Sequence, residues 1–233
     1  LIPRLGLACY VGFPSFWSMV SADKYIQARD YIFTGDLKTE YAGMIEKLDA
    51  YYENVQLKMD ETFDTLEEAG VDFGVIAKYN VPSLPLYAEA DEQADFFTGI
   101  ENASLGATAA PLDKTLSDSY INSLADKKYL SPDKMIDAST CLFPEKTWFI
   151  RNISHDPFPP SIDELIYEYF NNSGKLTVFQ DERFTQYLDY DSEKDTITPI
   201  TAPADEKPDD SGNSGNNSSN NNSEKGESVS IFI

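Results

Sequence analysis

The stretch "TWFIRNISHDPFPPSIDELIYEY", Thr147 to Tyr169, decides how the rest of the chain is read. Its first part, "TWFIRNI" from Thr147 to Ile153, is an apolar run of strand length. Ser161, with Glu164 three residues on, forms a capping box for a helix through Tyr169, and Pro159 and Pro160 fix its approach. Between strand and helix lies His155, the single histidine of the sequence. A histidine just past the carboxyl end of a strand sits where open α/β sheets place their ligand crevice.

Upstream, "VDFGVIAKY" (Val71 to Tyr79) carries Phe73, Val75, Ile76 and Ala77 without an intervening charge. Such a run suits a strand covered on both faces better than an alternating, half-exposed one. Before it, Tyr41, Met44, Ile45, Leu48, Tyr52, Val55, Met59, Phe63 and Leu66 recur at three and four residues, which predicts one long amphipathic helix ended by Gly70. A shorter amphipathic segment covers residues 21 to 33 (Tyr25, Ile26, Arg29, Ile32, Phe33), broken by Gly35 and Asp36. Helix followed by buried strand is the grammar of a parallel sheet, so the fold class expected is α/β. The divisions expected are a helical region at 1–70, an α/β core at 71–200 and a disordered linker at 201–233. From about Asp205 to Ser230 the composition turns to Asp, Ser, Gly and Asn, which cannot bury enough apolar surface to offset the entropy of ordering.

The 233 residues are 41% hydrophobic and 13% aromatic, enough for a sizeable core. Asp and Glu number 40 against 18 Lys and Arg, a formal charge of −22. A body so acidic opposes a phosphate backbone, so nucleic acid and anionic membrane surfaces are not expected partners. No run approaches the roughly 18 apolar residues of a membrane-spanning helix. The chain opens on Leu1, closes after a polar tract, and is read as a fragment. Cys9 and Cys141 are read as two buried thiols, their pairing being a matter of geometry. One histidine excludes a histidine-rich metal site, and no cofactor is expected. Asp133 and Asp137 have the oxygen chemistry for calcium, but Ser131 and Pro132 read more simply as a helix cap and first turn. Asn102, Asn152 and Asn171 head Asn-x-Ser sequons, meaningful only where the source glycosylates.

Taken together, "FGVIAKYN", the acidic loop "EADEQADFFTGIENASLGAT", "IDASTCLFPEKTWFI" and "NISHDPFP" resemble the C-terminal half of α/β-hydrolase-fold lipases and esterases of the secreted bacterial type. The resemblance covers roughly residues 1 to 190. It implies that the penultimate strand leads to the acid and the last strand to the histidine of a serine triad, in the order serine, acid, histidine. Residues 1–70 would then be the cap or lid, with "CYVGFPSFWSMV" lining an acyl pocket beneath it. Of Asp91, Glu92 and Asp95, the resemblance favours Asp95 as the acid partner of His155. One element departs from the pattern: no G-x-S-x-G elbow occurs, and "GFPSF" at Gly12 to Phe16 lacks the second glycine and a preceding strand. The implied serine would lie upstream of Leu1. The resulting expectation is a secreted or cell-surface carboxylic-ester hydrolase acting on a lipid or other apolar ester, its linker tethering an unseen module or anchor. The rival expectation is a noncatalytic cell-surface or adhesion module in which His155 is incidental.

Overall fold

The computed structural model describes residues 10–83, 92–156, 158–172, 175–201 and 229–232. The first named element is a 3-10 helix, Pro14–Met19, followed by α1 (Tyr25–Ile32), α2 (Leu37–Glu40), α3 (Ala42–Asn54) and α4 (Met59–Glu68). Tyr10, Trp17, Val20, Tyr25, Ala28, Phe33 and Leu48 form a core of their own among these segments. Trp17 and Phe33 stack within it, and the Trp17 indole donates to the Tyr10 carbonyl at 2.9 Å.

The single long helix expected from Tyr41 to Leu66 is two helices, parted at Val55 and a 3-10 turn, Gln56–Lys58. The apolar stripe is continuous in sequence but serves two cores. Leu48, Met44 and Ile45 pack into the N-terminal cluster, whereas Phe63 and Leu66 pack on Phe73, Val75 and Phe143 of the sheet region. A straight helix cannot present one face to both, and the buried Gln56 pins the break by donating to the Val20 carbonyl at 2.8 Å. Gly70, at φ +86°, ends α4 in the left-handed conformation that glycine adopts without strain.

The sheet has the strand order Thr196–Pro199, Tyr187–Asp191, Thr147–Arg151, Val71–Tyr79, Val229–Phe232. Strand β1 (Val71–Tyr79) runs parallel to β6 (Thr147–Arg151), which runs parallel to β7 (Tyr187–Asp191); β8 (Thr196–Pro199) closes that side antiparallel to β7. Alternation along β6 sends Trp148 and Ile150 to one face, where α7 (Pro160–Asn171) covers them with Ile162, Leu165 and Tyr169. Phe149 faces the other way and packs with Ala77, Tyr79, Ile136 and Tyr187. Both faces are therefore covered, as the charge-free run of β1 requires. Short pieces fill that second side: hairpin-like pairs β2 (Val81–Pro82) with β3 (Gln93–Ala94) and β4 (Thr108–Ala109) with β5 (Ile136–Asp137), and helices α5 (Ile100–Ala103) and α6 (Asp118–Ser123). No helix among the described residues is long and apolar enough to cross a membrane. The architecture is thus mixed α/β, a mainly parallel sheet flanked by helices.

Three local expectations need correction. Helix α7 begins at Pro160, one residue before Ser161; a first-turn proline gives up no helical hydrogen bond. Freed from capping, Ser161 accepts the amide of Ile197 at 3.1 Å, tying α7 to β8, and Glu164 turns to Arg183. No helix starts at Ser131: its hydroxyl accepts the amides of Met135 and Ile136, both at 2.9 Å, and folds the segment into a turn leading to β5. Asp133 is held there by Arg151 at 3.0 Å, and Asp137 by the Tyr120 hydroxyl at 2.9 Å. Lastly, Val229–Phe232, which the composition assigns to the disordered linker, pair as β9, parallel to β1 on its outer edge with Val71 opposite Val229.

Cys141 is free and buried, and burial pushes its thiol up to about 12 against a small opposing hydrogen bond from Ser104. Cys9 lies outside the described residues. Because the thiolate is the reactive form, Cys141 in a Cys9→Ser background should resist iodoacetamide at about pH 8 in the native protein and react promptly in urea. Equal labelling rates in the two states, followed by mass spectrometry, would contradict the burial.

Candidate active site

The site is set where β1 and β6 leave the sheet together. Their register ends with Tyr79 opposite Arg151, and the next residue on each strand is an asparagine in the left-handed region, Asn80 at φ 66° and Asn152 at φ 64°. Asparagine tolerates that conformation better than most residues. The two turns are bonded to each other. Asn152 donates its amide to the Tyr79 carbonyl at 2.9 Å, the Asn80 side chain donates to the Asn152 side-chain oxygen at 2.6 Å, and Asn152 Nδ2 donates to Asp189 at 2.8 Å. Both chains are thus turned off the carboxyl end of the sheet at one level.

What they bring together is Asp95 and His155. Asp95 follows β3, held by a bridge to Val81 and by its own amide donating to the Thr98 carbonyl at 3.1 Å. Its Oδ1 accepts the amides of Phe97 (3.0 Å) and Thr98 (2.7 Å), a turn that consumes one carboxylate oxygen in place. The other oxygen, Oδ2, lies 2.7 Å from His155 Nδ1. An ionised carboxylate only accepts, so Nδ1 carries a proton, and in the neutral ring Nε2 is the acceptor. The main chain adds a second link, the His155 amide donating to the Asp95 carbonyl at 2.7 Å. The Asp95 side chain is 8% exposed and that of His155 44%, so the acid is enclosed and the imidazole reachable.

The surroundings are aromatic with one buried cation. Phe97 meets the His155 ring edge-on, centroids 5.6 Å apart, and Phe16 meets Phe97 at 5.8 Å, linking the N-terminal segment to the site. Phe13, Phe96, Phe97 and Phe158 are all partly exposed near this end of the molecule. Lys78, the penultimate residue of β1, donates from Nζ to the His155 carbonyl at 2.7 Å and lies 3.8 Å over the Phe158 ring. Burial lowers its ammonium below the ordinary lysine range, while the charges of Asp95 and Asp156 pull it back up.

Of the other acids named from the sequence, Glu92 is ion-paired to Lys24 and not to His155, and Asp91 lies outside the described residues. Among the described residues no side chain hydrogen-bonds His155 Nε2, and no cluster of three or more His, Cys, Asp or Glu is arranged for a metal ion. Sequence reasoning missed Lys78 and the paired asparagines. A lone lysine inside an apolar strand run and an asparagine directly after each strand were the available signals. Comparison with models of known families, with curated proteins and with solved structures finds no match to this chain.

The left-handed turn at Asn152 sets the path of the His155 loop, and an alanine there would carry a Cβ into a disfavoured region. Asn152→Ala should lower unfolding free energy by about 1–2 kcal/mol in urea titrations, and Asn152→Gly by distinctly less. Equal losses for the two would mean that the side-chain bonds, and not the backbone conformation, are what matters.

Proposed function

We propose that this chain supplies the acid and the general base of a serine-dependent carboxylic-ester hydrolase, with His155 as base and then acid and Asp95 as its orienting carboxylate. The observation that carries the reading is the 2.7 Å contact between Asp95 Oδ2 and His155 Nδ1 at the carboxyl ends of two adjacent parallel strands. With Nδ1 committed, Nε2 is the one nitrogen able to take a proton from a hydroxyl nucleophile and return it to the leaving alkoxide. The carboxylate stabilises the imidazolium that forms and fixes the tautomer without itself becoming protonated. These 233 residues contain no strand–elbow–helix around a G-x-S-x-G serine, so the reading assigns the nucleophile to a polypeptide segment beyond them.

An apolar ester suits the surroundings. The phenylalanines beside His155 present partly exposed apolar surface, a feature of binding sites more than of ordinary monomer surface. A cavity of about 550 Å³, lined by Pro14, Trp17, Met44, Leu48 and Tyr51, opens beside the segment that carries Phe13 and Phe16. The proposal assigns this cavity to the acyl chain and gives the helical segments of residues 10–68 the part of a cover. A secreted or cell-surface setting for such an enzyme is part of the same proposal.

The test is made in the parent enzyme that this reading implies, with p-nitrophenyl esters of graded acyl length. His155→Ala should lower turnover by a factor of roughly 10⁴ to 10⁶, and Asp95→Asn by up to about 10⁴, with little change in folding. The 233-residue chain alone should be inactive. Unaltered activity in His155→Ala, or ester turnover at enzymatic rates by the chain alone, would overturn the assignment; loss confined to longer esters would keep the chemistry and move the acyl site.

A further inference from the structure

Past Asp72, which pairs with Lys146 at 2.7 Å, strand β1 carries no charge except at Lys78, a residue only 5% exposed. By alternation it lies on the same face as Ile76, toward the cluster that packs under α7. A methionine or leucine would fill that space and lie against Phe158 with no charge to desolvate. What the lysine adds is a donor, and that donor reaches an acceptor of the candidate site, the His155 carbonyl at 2.7 Å. His155 is thereby held at three points: its amide by the Asp95 carbonyl, its ring Nδ1 by Asp95 Oδ2 and its own carbonyl by Lys78. Among the described residues, only Nε2 is left without a hydrogen bond.

The arrangement crosses the sheet. Lys78 stands on the strand that delivers the acid, opposite Ile150 on the strand that delivers the histidine, and its side chain reaches forward into the histidine loop. The charged groups facing its ammonium are Asp95 and Asp156, and Phe158 offers its ring face, so the cation is compensated on the sides that water does not reach. Within the loop itself the Ser154 hydroxyl donates to the Asp156 carbonyl. Were the His155 carbonyl released, the peptide plane could turn, and the Cα–Cβ direction of His155 with it. At a bond length of 2.7 Å a small swing of the ring is enough to lose Asp95 Oδ2.

We propose that Lys78 is a positioning residue, holding the His155 main chain so that the imidazole keeps its bond to Asp95. The proposal rests on the reading of Asp95 and His155 as an acid and general base. Because His155 is the sole histidine, its two ring nitrogens give one pair of imidazole signals in a ¹⁵N-labelled chain. At about pH 8, above the ordinary histidine range, the wild type should show a protonated Nδ1 and a bare Nε2. Lys78→Met keeps the stem and removes the donor; its two signals should shift toward each other as the tautomers mix, whereas a residue that only packs would leave them unmoved. Lys78→Arg, which keeps cation and donor, should restore the wild-type pair.

Mixed tautomers already in the wild type would overturn the Asp95–His155 reading itself and the proposal with it. A fixed tautomer in the wild type and in Lys78→Met alike leaves that reading standing and overturns the positioning role. Mixing in folded Lys78→Arg overturns it too. If Lys78→Met does not fold by circular dichroism, Lys78→Gln replaces it in the same measurement; unfolding of both makes Lys78 a residue of core stability and overturns the proposal.

Discussion

The parallel pairing of β1 with β6 is the constraint on which the rest depends. Its register, Val75 opposite Thr147 through Tyr79 opposite Arg151, brings two carboxyl ends to the same level, and every link of the candidate site starts there. A slip of one residue would turn Trp148 and Ile150 away from α7 and bring Phe149 toward it, because side chains alternate with period two. It would also separate the Asn80 and Asn152 turns, which are bonded at 2.6 Å only because they leave the sheet side by side. Register is over-determined here: packing on two faces and hydrogen bonds at the exit both enforce it. Precision at the Asp95–His155 contact is inherited from strands that have little freedom to move.

How much of this was legible follows from what each residue type can report. The apolar runs at Val71–Tyr79 and Thr147–Arg151 announce buried strands, since burial on both faces leaves no alternation to misread. The helix through Leu165 and Tyr169 is legible from its period, and its start only to within a residue, because a proline and a serine offer competing beginnings. His155 could be named from its place after a strand and Asp95 from the family resemblance, but their 2.7 Å contact could not, as it depends on the path of two loops. The helix from Tyr41 to Leu66 misled because periodicity records which residues are buried and not which core buries them. Val229–Phe232 were hidden by the polar tract before them, whose composition dominates any window that includes it, although valine, isoleucine and phenylalanine are strand formers. Lys78 was unreadable in a stronger sense: a lysine one residue from the end of a strand ordinarily marks the return to solvent, and only the folded loops show that it is enclosed.

The pairing of an enclosed acid with a reachable imidazole also explains how one site can keep two unlike requirements. A carboxylate 8% exposed must be compensated, and Asp95 receives this from neutral dipoles, the amides of Phe97 and Thr98, as much as from the nearby ammonium of Lys78. Those dipoles are fixed by a turn of the chain, so they need not reorganise when charge appears on the neighbouring ring. The imidazole is 44% exposed, with the Phe97 ring nearly perpendicular to it, so in the proposed reaction a proton could arrive and leave. In the proposed reaction the acidic body adds a further bias, since a chain with a formal charge of −22 repels the carboxylate released at the end of each cycle. In that proposed reaction, local dipoles would hold the acid in place while the long-range field would favour departure of the acidic product.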